Sequence, residues 1–222
     1  MRKLLLLLSF LFVLLNSYGQ DYSKTNKFAI GVSGGSNGLG IDVSRNLNEH
    51  FNGSLSFNYL KIDNFSQVVT YDSQSLKGTA NVDMRNIDLR IEYLPFKGSG
   101  FKIVAGLAYM FSNSVQLISS YTEPITLGVR TLTPDDIGEI RFESEWNQLS
   151  PYLGIGLGRA VPKKRIGFGL DMGTYYLGNP NIKFYGTELF TDMSSQEQKM
   201  ESNMKDYTWF PLLRLRLSVR LN

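Results

Sequence analysis

The sequence predicts an all-β fold, an eight-stranded antiparallel up-and-down transmembrane β-barrel. Three observations predict it. A short apolar N-terminal segment directs the chain out of the cytoplasm. The remainder alternates apolar and polar residues with period two. The connections between the alternating segments are short on one side and long on the other.

The N-terminal segment carries Arg2 and Lys3, then an apolar run from Leu4 to Leu15 broken only by Ser9, then small residues at Ser17 and Gly19. This is the pattern of a secretory signal peptide over 1–19, with cleavage expected between Gly19 and Gln20. Twelve apolar residues rise about 18 Å as a helix, too short for a hydrocarbon core of about 30 Å, so a membrane anchor is the weaker reading. Residues 20–222 form the expected barrel domain. The full chain of 222 residues has net charge +3; removing Arg2 and Lys3 with the leader leaves 21 basic and 20 acidic residues. No basic block remains, so a nucleic-acid partner is not expected. The absence of cysteine excludes thiol catalysis, disulfides and Cys-ligated zinc, and a single histidine argues against His-based triads and multi-His metal sites. A mean hydropathy of -0.14 excludes a bundle of membrane-spanning helices.

Eight segments alternate, and alternation at period two is the signature of a strand with two different faces. The apolar stripes are Phe28, Ile30 and Val32; Leu39, Ile41 and Val43; Leu55, Phe57 and Tyr59; and Ile87, Leu89, Ile91 and Tyr93. The second half repeats the pattern at Ile103 to Phe111, Leu149 to Leu157, Ile166 to Met172 and Leu213 to Leu221. Several stripes approach the nine to eleven residues that a membrane strand needs, more than a soluble strand usually has. No amphipathic helix is evident beyond residue 26.

The first connection, Gly34 to Gly38, is tight. The connections Asn46 to Glu49, Pro95 to Gly100 and Pro162 to Arg165 are short. Those from Asp63 to Ala80, Asn113 to Arg141 and Gly178 to Asp206 are long and read as loops. Short periplasmic turns alternating with long outer loops characterise outer-membrane barrels. Tyr59, Tyr109, Phe111, Trp146, Tyr176, Tyr207 and Trp209 fall near the long connections, and Phe51, Phe96 and Phe101 near the short ones, which predicts an aromatic girdle at each interface.

From Phe28 to Leu117, and again from Ser150 onward, the chain resembles a family of small, mostly uncharacterised eight-stranded outer-membrane β-barrel proteins of Gram-negative bacteria. The stretches that carry the resemblance are KFAIGVSGGSNGLGIDVSRNLNEHF, RIEYLPFKGSGFKIVAGLAY and SPYLGIGLGRAVPKKRIGFGLDMGTYYLGNPNIKF. Their order carries it: a Gly-rich first hairpin, a tyrosine-proline turn, a glycine-rich sixth strand and an aspartate-bearing seventh. Such barrels often end on an aromatic residue used in assembly, whereas this chain ends Leu221-Asn222. The resemblance implies an outer-membrane location and a barrel architecture, and it implies no reaction.

If the apolar stripes face lipid, the intervening residues face the lumen. That set contains Asp42, Asp88, Arg90, Glu92, Lys102, Asp171, Arg214, Arg216 and Arg220. Counting along the strands sets Asp171 opposite Arg214 and Glu92 opposite Lys102. Eight strands leave an interior only wide enough for side chains, so a packed polar core is favoured over a narrow channel for small solutes or ions. The glycines of the sixth and seventh strands remove inward side chains and make room for Arg and Tyr from facing strands.

The remaining motifs point to no chemistry. The glycine-rich stretch from Gly31 to Gly40 lacks the Lys-Ser or Lys-Thr and the helix of a phosphate loop, and reads as a hairpin turn. His50, beside Glu49 in a short turn, has no nucleophile near it. Glu123, Asp135, Asp136, Glu139, Glu143, Glu145, Glu188, Asp192, Glu197 and Glu201 lie in the long connections without the spacing of a calcium loop, and Thr133 to Asp136 reads as a turn. No cofactor, metal or catalytic residue is expected, and the chain is not expected to be an enzyme. The expected partners are outer-membrane lipid and lipopolysaccharide, with the barrel-assembly machinery during insertion; the barrel is expected to be a monomer with any specificity in its outer loops.

Overall fold

A computed structural model describes residues 27–71, 74–96, 98–127, 129–191 and 197–221. The signal peptide and its cleavage position lie outside the described residues, as do Asp192 and Asn222. The strands are β1 (Phe28–Gly35), β2 (Gly38–Asn46), β3 (Phe51–Tyr71), β4 (Gln74–Tyr93), β5 (Lys102–Tyr121), β6 (Ile125–Leu127), β7 (Arg130–Leu132), β8 (Glu139–Glu145), β9 (Leu149–Leu157), β10 (Ile166–Tyr176), β11 (Asn181–Gly186) and β12 (Trp209–Arg220). Two helices, α1 (Pro134–Ile137) and α2 (Glu197–Met204), lie in the connections.

Eight of these strands close into a ring in the order β1-β2-β3-β4-β5-β9-β10-β12, with β12 paired back onto β1. Every pairing in the ring is antiparallel. They coincide with the eight alternating segments of the sequence. Closure removes the free edges that an open sheet would expose. Side chains then alternate strictly: on β12, Leu213, Leu215, Leu217 and Val219 are exposed while Leu212, Arg214, Arg216 and Ser218 are buried.

The β1–β2 connection is the tight turn predicted. Gly35 pairs with Gly38, and Gly38 adopts φ +85, a conformation that glycine takes without strain. At the other end, the turn into β3 is held by Asn48, whose Oδ1 accepts from the backbone N–H of His50 at 2.8 Å and of Phe51 at 2.9 Å. His50 Nδ1 lies 2.8 Å from the carbonyl of Leu94, which ties this turn to the next one.

The long connections depart from the loops expected. The stretch from Asp63 to Ala80 is mostly strand: β3 has 21 residues and β4 has 20, joined by a hairpin. The stretch from Asn113 to Arg141 begins with the end of β5 and contains the β6–β7 hairpin, α1 and the start of β8. The stretch from Gly178 to Asp206 contains β11 and α2. Thr133 to Asp136 is the start of a helix rather than a turn. Thr133 caps α1 and exchanges hydrogen bonds with Asp136 in a capping box, Pro134 opening the first turn. The period-two reading missed both helices because α1 has four residues and α2 eight, too few to show a helical period.

Above the ring, β3, β4, β5, β8 and β11 continue side by side as a five-stranded wall. The opposite side, formed by β1, β2 and β12, stops at the first hairpin and at Trp209. The molecule is therefore a closed barrel with one tall side.

Gly31 on β1 faces inward, and a Cβ there would lie 2.7 Å from Asp42 Oδ1 and 2.9 Å from Arg216 Nε. Gly34 meets only Leu39 Cδ2, at 3.6 Å. Gly31→Val is expected to destabilise the barrel by about 1–3 kcal/mol through overpacking, whereas Gly34→Val should be tolerated. Urea titration of the folded, heat-modifiable species checks both.

Candidate functional site

The interior of the ring holds eight buried charged side chains among the described residues: Asp42, Asp88, Glu92 and Asp171 against Arg90, Lys102, Arg214 and Arg216. Four carboxylates face four cations. They arrive from β2, β4, β5, β10 and β12 because each stands at an inward position of its strand.

Six of them form a chain of alternating sign. Asp42 pairs with Arg216, whose Nη1 lies 3.6 Å from Glu92 Oε1. Glu92 Oε1 is 2.7 Å from Lys102 Nζ, which is 2.6 Å from Asp171 Oδ1. Asp171 Oδ2 accepts from Arg214 Nη2 at 2.9 Å. Asp88 and Arg90 form a separate pair under Tyr175, whose hydroxyl donates to Asp88 Oδ2 at 2.8 Å and accepts from Arg90 Nη2. The Arg90 guanidinium also lies 4.4 Å from the centre of the Tyr152 ring, a cation–π contact in a water-poor setting.

Neutral groups add hydrogen bonds to Asp88 and Glu92. Asn58 Nδ2 donates to Asp88 at 3.0 Å, Asn52 Nδ2 to Glu92 at 3.1 Å, and the backbone N–H of Ala160 to Glu92 at 2.8 Å. Buried charges persist when paired and hydrogen-bonded; each carboxylate here has a cation beside it, although Asp42 Oδ1, Arg90 Nε and Arg214 Nη1 are buried without a hydrogen bond.

Asp171 stands directly opposite Arg214 in the β10–β12 register. Glu92 and Lys102 meet as well, but diagonally: Glu92 is opposite Val104, and Lys102 is opposite Gly156 on β9. Glycine at 156 makes the meeting feasible, since a Cβ there would lie 2.5 Å from Asp171 Oδ1 and 2.7 Å from Lys102 Cε. Arg220 belongs elsewhere. It is half-buried at the end of β12 and donates to the carbonyls of Pro162 and Lys163 in the turn before β10, because the strand ends there and its side chain reaches the rim.

Tyr152 and Tyr175 are interior residues that the charged set leaves out. Their inward position on β9 and β10 was the available signal. With Val104, Ala108, Met110, Leu177 and Leu212 they form a buried apolar cluster, against which Trp146 and Phe210 pack. Trp146 thus packs partly inward and donates from Nε1 to the Tyr207 carbonyl at 3.0 Å, rather than facing lipid in the girdle. The outward aromatics pair at both levels of the barrel: Tyr176 with Trp209 at 4.9 Å between ring centres, Tyr109 with Phe111 at 5.4 Å, and Phe51 with Tyr93 at 5.1 Å.

In the wall the polarity of the two faces reverses. Strand β4 carries no bulge, so its even-numbered residues share one face throughout. In the ring that face is Asn86, Asp88, Arg90 and Glu92; in the wall it is Leu76, Gly78, Ala80, Val82 and Met84. The other face changes from Ile87, Leu89 and Ile91 to Lys77, Thr79, Asn81, Asp83 and Arg85.

Neighbouring strands follow by means of bulges. On β3, Asp63 and Asn64 are inserted opposite Asn81, Asn64 adopting φ 56 and donating its N–H to Asn81 Oδ1 at 2.7 Å; this brings Phe65 onto the inner face. On β5, Phe111 is skipped between Met110 and Ser112, which turns Val115 and Leu117 inward. The result is an inner row Phe65–Ala80–Leu117–Phe142–Phe184 across five strands. The outer face carries a polar ladder: Asn81 donates to Gln116, and Gln116 and Tyr185 both donate to Glu143, each at 2.8 Å.

Among the described residues no three His, Asp or Glu side chains converge as metal ligands do.

A closed antiparallel ring with an apolar outside and a charged inside defines an eight-stranded up-and-down transmembrane β-barrel. In fold the chain is similar to two crystal structures from Acinetobacter baumannii. One is CarO2, at 18% identity and TM-score 0.62, covering 89% of this chain and 100% of that one. The other is CarO, at 20% identity and TM-score 0.59, covering 90% and 99%. A major outer membrane protein from Thermus thermophilus is matched at 14% identity and TM-score 0.41, covering 88% and 98%, a likeness too loose to argue from. No family model matches the chain, and no curated protein matches it in sequence.

Removing one member of a buried pair strands the other. Asp171→Ala leaves Arg214 without its carboxylate and Lys102 with one instead of two, so a loss of about 3–5 kcal/mol is expected. The double variant Asp171→Ala/Arg214→Met should recover part of it, as read from unfolding in detergent or lipid. In the wall, the hydrogen bonds from Tyr185 and then Gln116 hold the Glu143 carboxyl below its ordinary range. A depressed carboxyl adds stability above its unfolded pKa, and that stability is lost as pH falls through the folded value. Protection factors in β8 and β11, that is exchange corrected for its intrinsic slowing in acid, should therefore fall below about pH 4.3, the ordinary glutamate value, while those in β1 and β12 hold.

Proposed function

We propose that this protein is an integral barrel of the bacterial outer membrane, with a closed polar lumen and an interactive or structural role exercised above the membrane. The observation that carries the reading is the lumen itself: four buried carboxylates matched to four buried cations, overlain by the apolar cluster around Met110, Leu177 and Leu212. An eight-stranded interior has no width to spare once such side chains fill it.

The location is supported by the secretory leader read in the sequence, the apolar outer band with paired aromatics at both ends, and the fold shared with the Acinetobacter barrels. The reversal of polarity at Arg85 on β4 marks the level at which lipid gives way to water. Below it the outer face meets lipid, and the wall above it meets lipopolysaccharide headgroups. Insertion by the barrel-assembly machinery and a monomeric state belong to the same proposal. The one histidine is engaged with the Leu94 carbonyl at the opposite end from the wall and so serves no lumenal hydroxyl as a base; the proposal assigns no enzymatic activity.

The test is electrical. The chain without its leader, refolded and inserted in a planar bilayer, is expected to be silent, with heat-shifted gel mobility confirming that it has folded. Steady conductance steps from the folded species would instead establish a narrow channel and make the lumenal charges its selectivity residues.

A further inference from the structure

The inner face of the wall is apolar, yet it stands on the watery side of the barrel. Phe65 is 58% exposed, Val69 64% and Leu117 46%. Exposed apolar side chains gathered on one concave face mark a binding surface more often than an accident of composition. Phe65 and Leu117, with Ala80, Ile140 and Phe142, line an open groove of about 350 Å³ that also takes in Gly78 and Gln67. The face is assembled by two separate bulges, one on β3 and one on β5; without them Phe65 and Leu117 would turn outward and polar residues such as Gln116 would turn in.

We propose that this groove binds a single uncharged hydrocarbon group, an alkyl chain of medium length, delivered from the medium. Volume and lining favour that occupant. A cavity of about 150 Å³ holds benzene, so a groove of about 350 Å³ has room for a group a little more than twice that size. Among the described residues no charged side chain lines it, so an uncharged apolar group suits it better than an ionic one. Beneath it the apolar cluster and the ion-paired lumen close the way down, so the ligand is held at the rim rather than passed on. To that extent the inference rests on the closed-lumen reading.

Gly78 provides the probe of this site. A Cβ at 78 would meet nothing nearer than the Gln67 carbonyl oxygen at 4.0 Å, so a large side chain fits the backbone and projects into the groove. The experiment uses the chain in lipid nanodiscs with a ten-carbon alcohol bearing an aliphatic diazirine. After photolysis, labelled residues are mapped by mass spectrometry. Saturable labelling is expected at Phe65, Leu117 and Phe142, competed by excess decanol and reduced at least tenfold by Gly78→Phe. Labelling of the lipid-facing Leu55, Leu89 and Leu153 should not change, which also shows that the variant has folded.

Labelling confined to lipid-facing residues, or wall labelling indifferent to Gly78→Phe, would overturn the proposal. So would an unlabelled wall in a particle whose mass, by native mass spectrometry, is that of two copies of the chain, which would make a second copy the occupant. Conductance separates the two readings: a conducting barrel with Gly78-sensitive labelling keeps the groove and loses the closed lumen, and a silent barrel without such labelling does the reverse.

Discussion

A charge placed inside a ring of eight strands has neither headgroup nor bulk water to turn to, and much of this molecule is arranged by that constraint. Moving a single ion into such a setting costs several kcal/mol after relaxation, and only close partners of opposite sign with additional hydrogen bonds offset it. The sequence meets the constraint with equal numbers of carboxylates and cations, set so that each lies against its opposite. The glycines follow from the same requirement. Gly31, Gly106 and Gly156 stand where a methyl group would collide with Asp42, Arg90 or Lys102. The lumen is therefore built from two residue classes at once, long charged chains on some strands and missing side chains on their neighbours.

The eight strands were legible because lipid imposes one rule on one face over their whole length. Ile87, Leu89 and Ile91 announce β4 without any knowledge of its partners. The Asp171–Arg214 pair was legible too, since counting along two adjacent strands needs only the shared turn level. What was not legible was the height of the strands. Beyond Arg85 the period of two persists, but the apolar residues change face, and a reading keyed to one continuous apolar stripe ends where the stripe ends. The bulges at Asp63–Asn64 and at Phe111 compound this, because an inserted residue shifts the phase of everything after it. Tyr152 and Tyr175 escaped for a different reason: their positions are inward, but nothing local says that a tyrosine will hold an arginine from a strand across the ring.

With the proposed membrane level at Arg85, the reversal of polarity lets one antiparallel sheet serve two solvents. In the bilayer the outer face must be apolar, and above it the same face must be wet, so the strands exchange their faces in composition rather than breaking. The wall keeps its ladder of backbone hydrogen bonds through the change, and the outer face replaces hydrocarbon contact with the hydrogen-bonded row Asn81, Gln116, Glu143 and Tyr185. A loop in that place would have to find other partners for its backbone.

The seam between β1 and β12 bears on how the molecule comes together. Ser36, at the tip of the first hairpin, accepts from the Leu213 N–H through its hydroxyl and donates to the Pro211 carbonyl, joining residues 177 positions apart. Contacts of such separation exact the largest loop-closure entropy and form only once the intervening chain is in place. The hairpins β1–β2, β2–β3, β3–β4 and β4–β5 are local and self-registering; the seam is neither. Circularisation thus joins the most distant parts of this chain, and the Ser36 side chain extends by one further turn the seven-pair ladder that sets the register of its two ends.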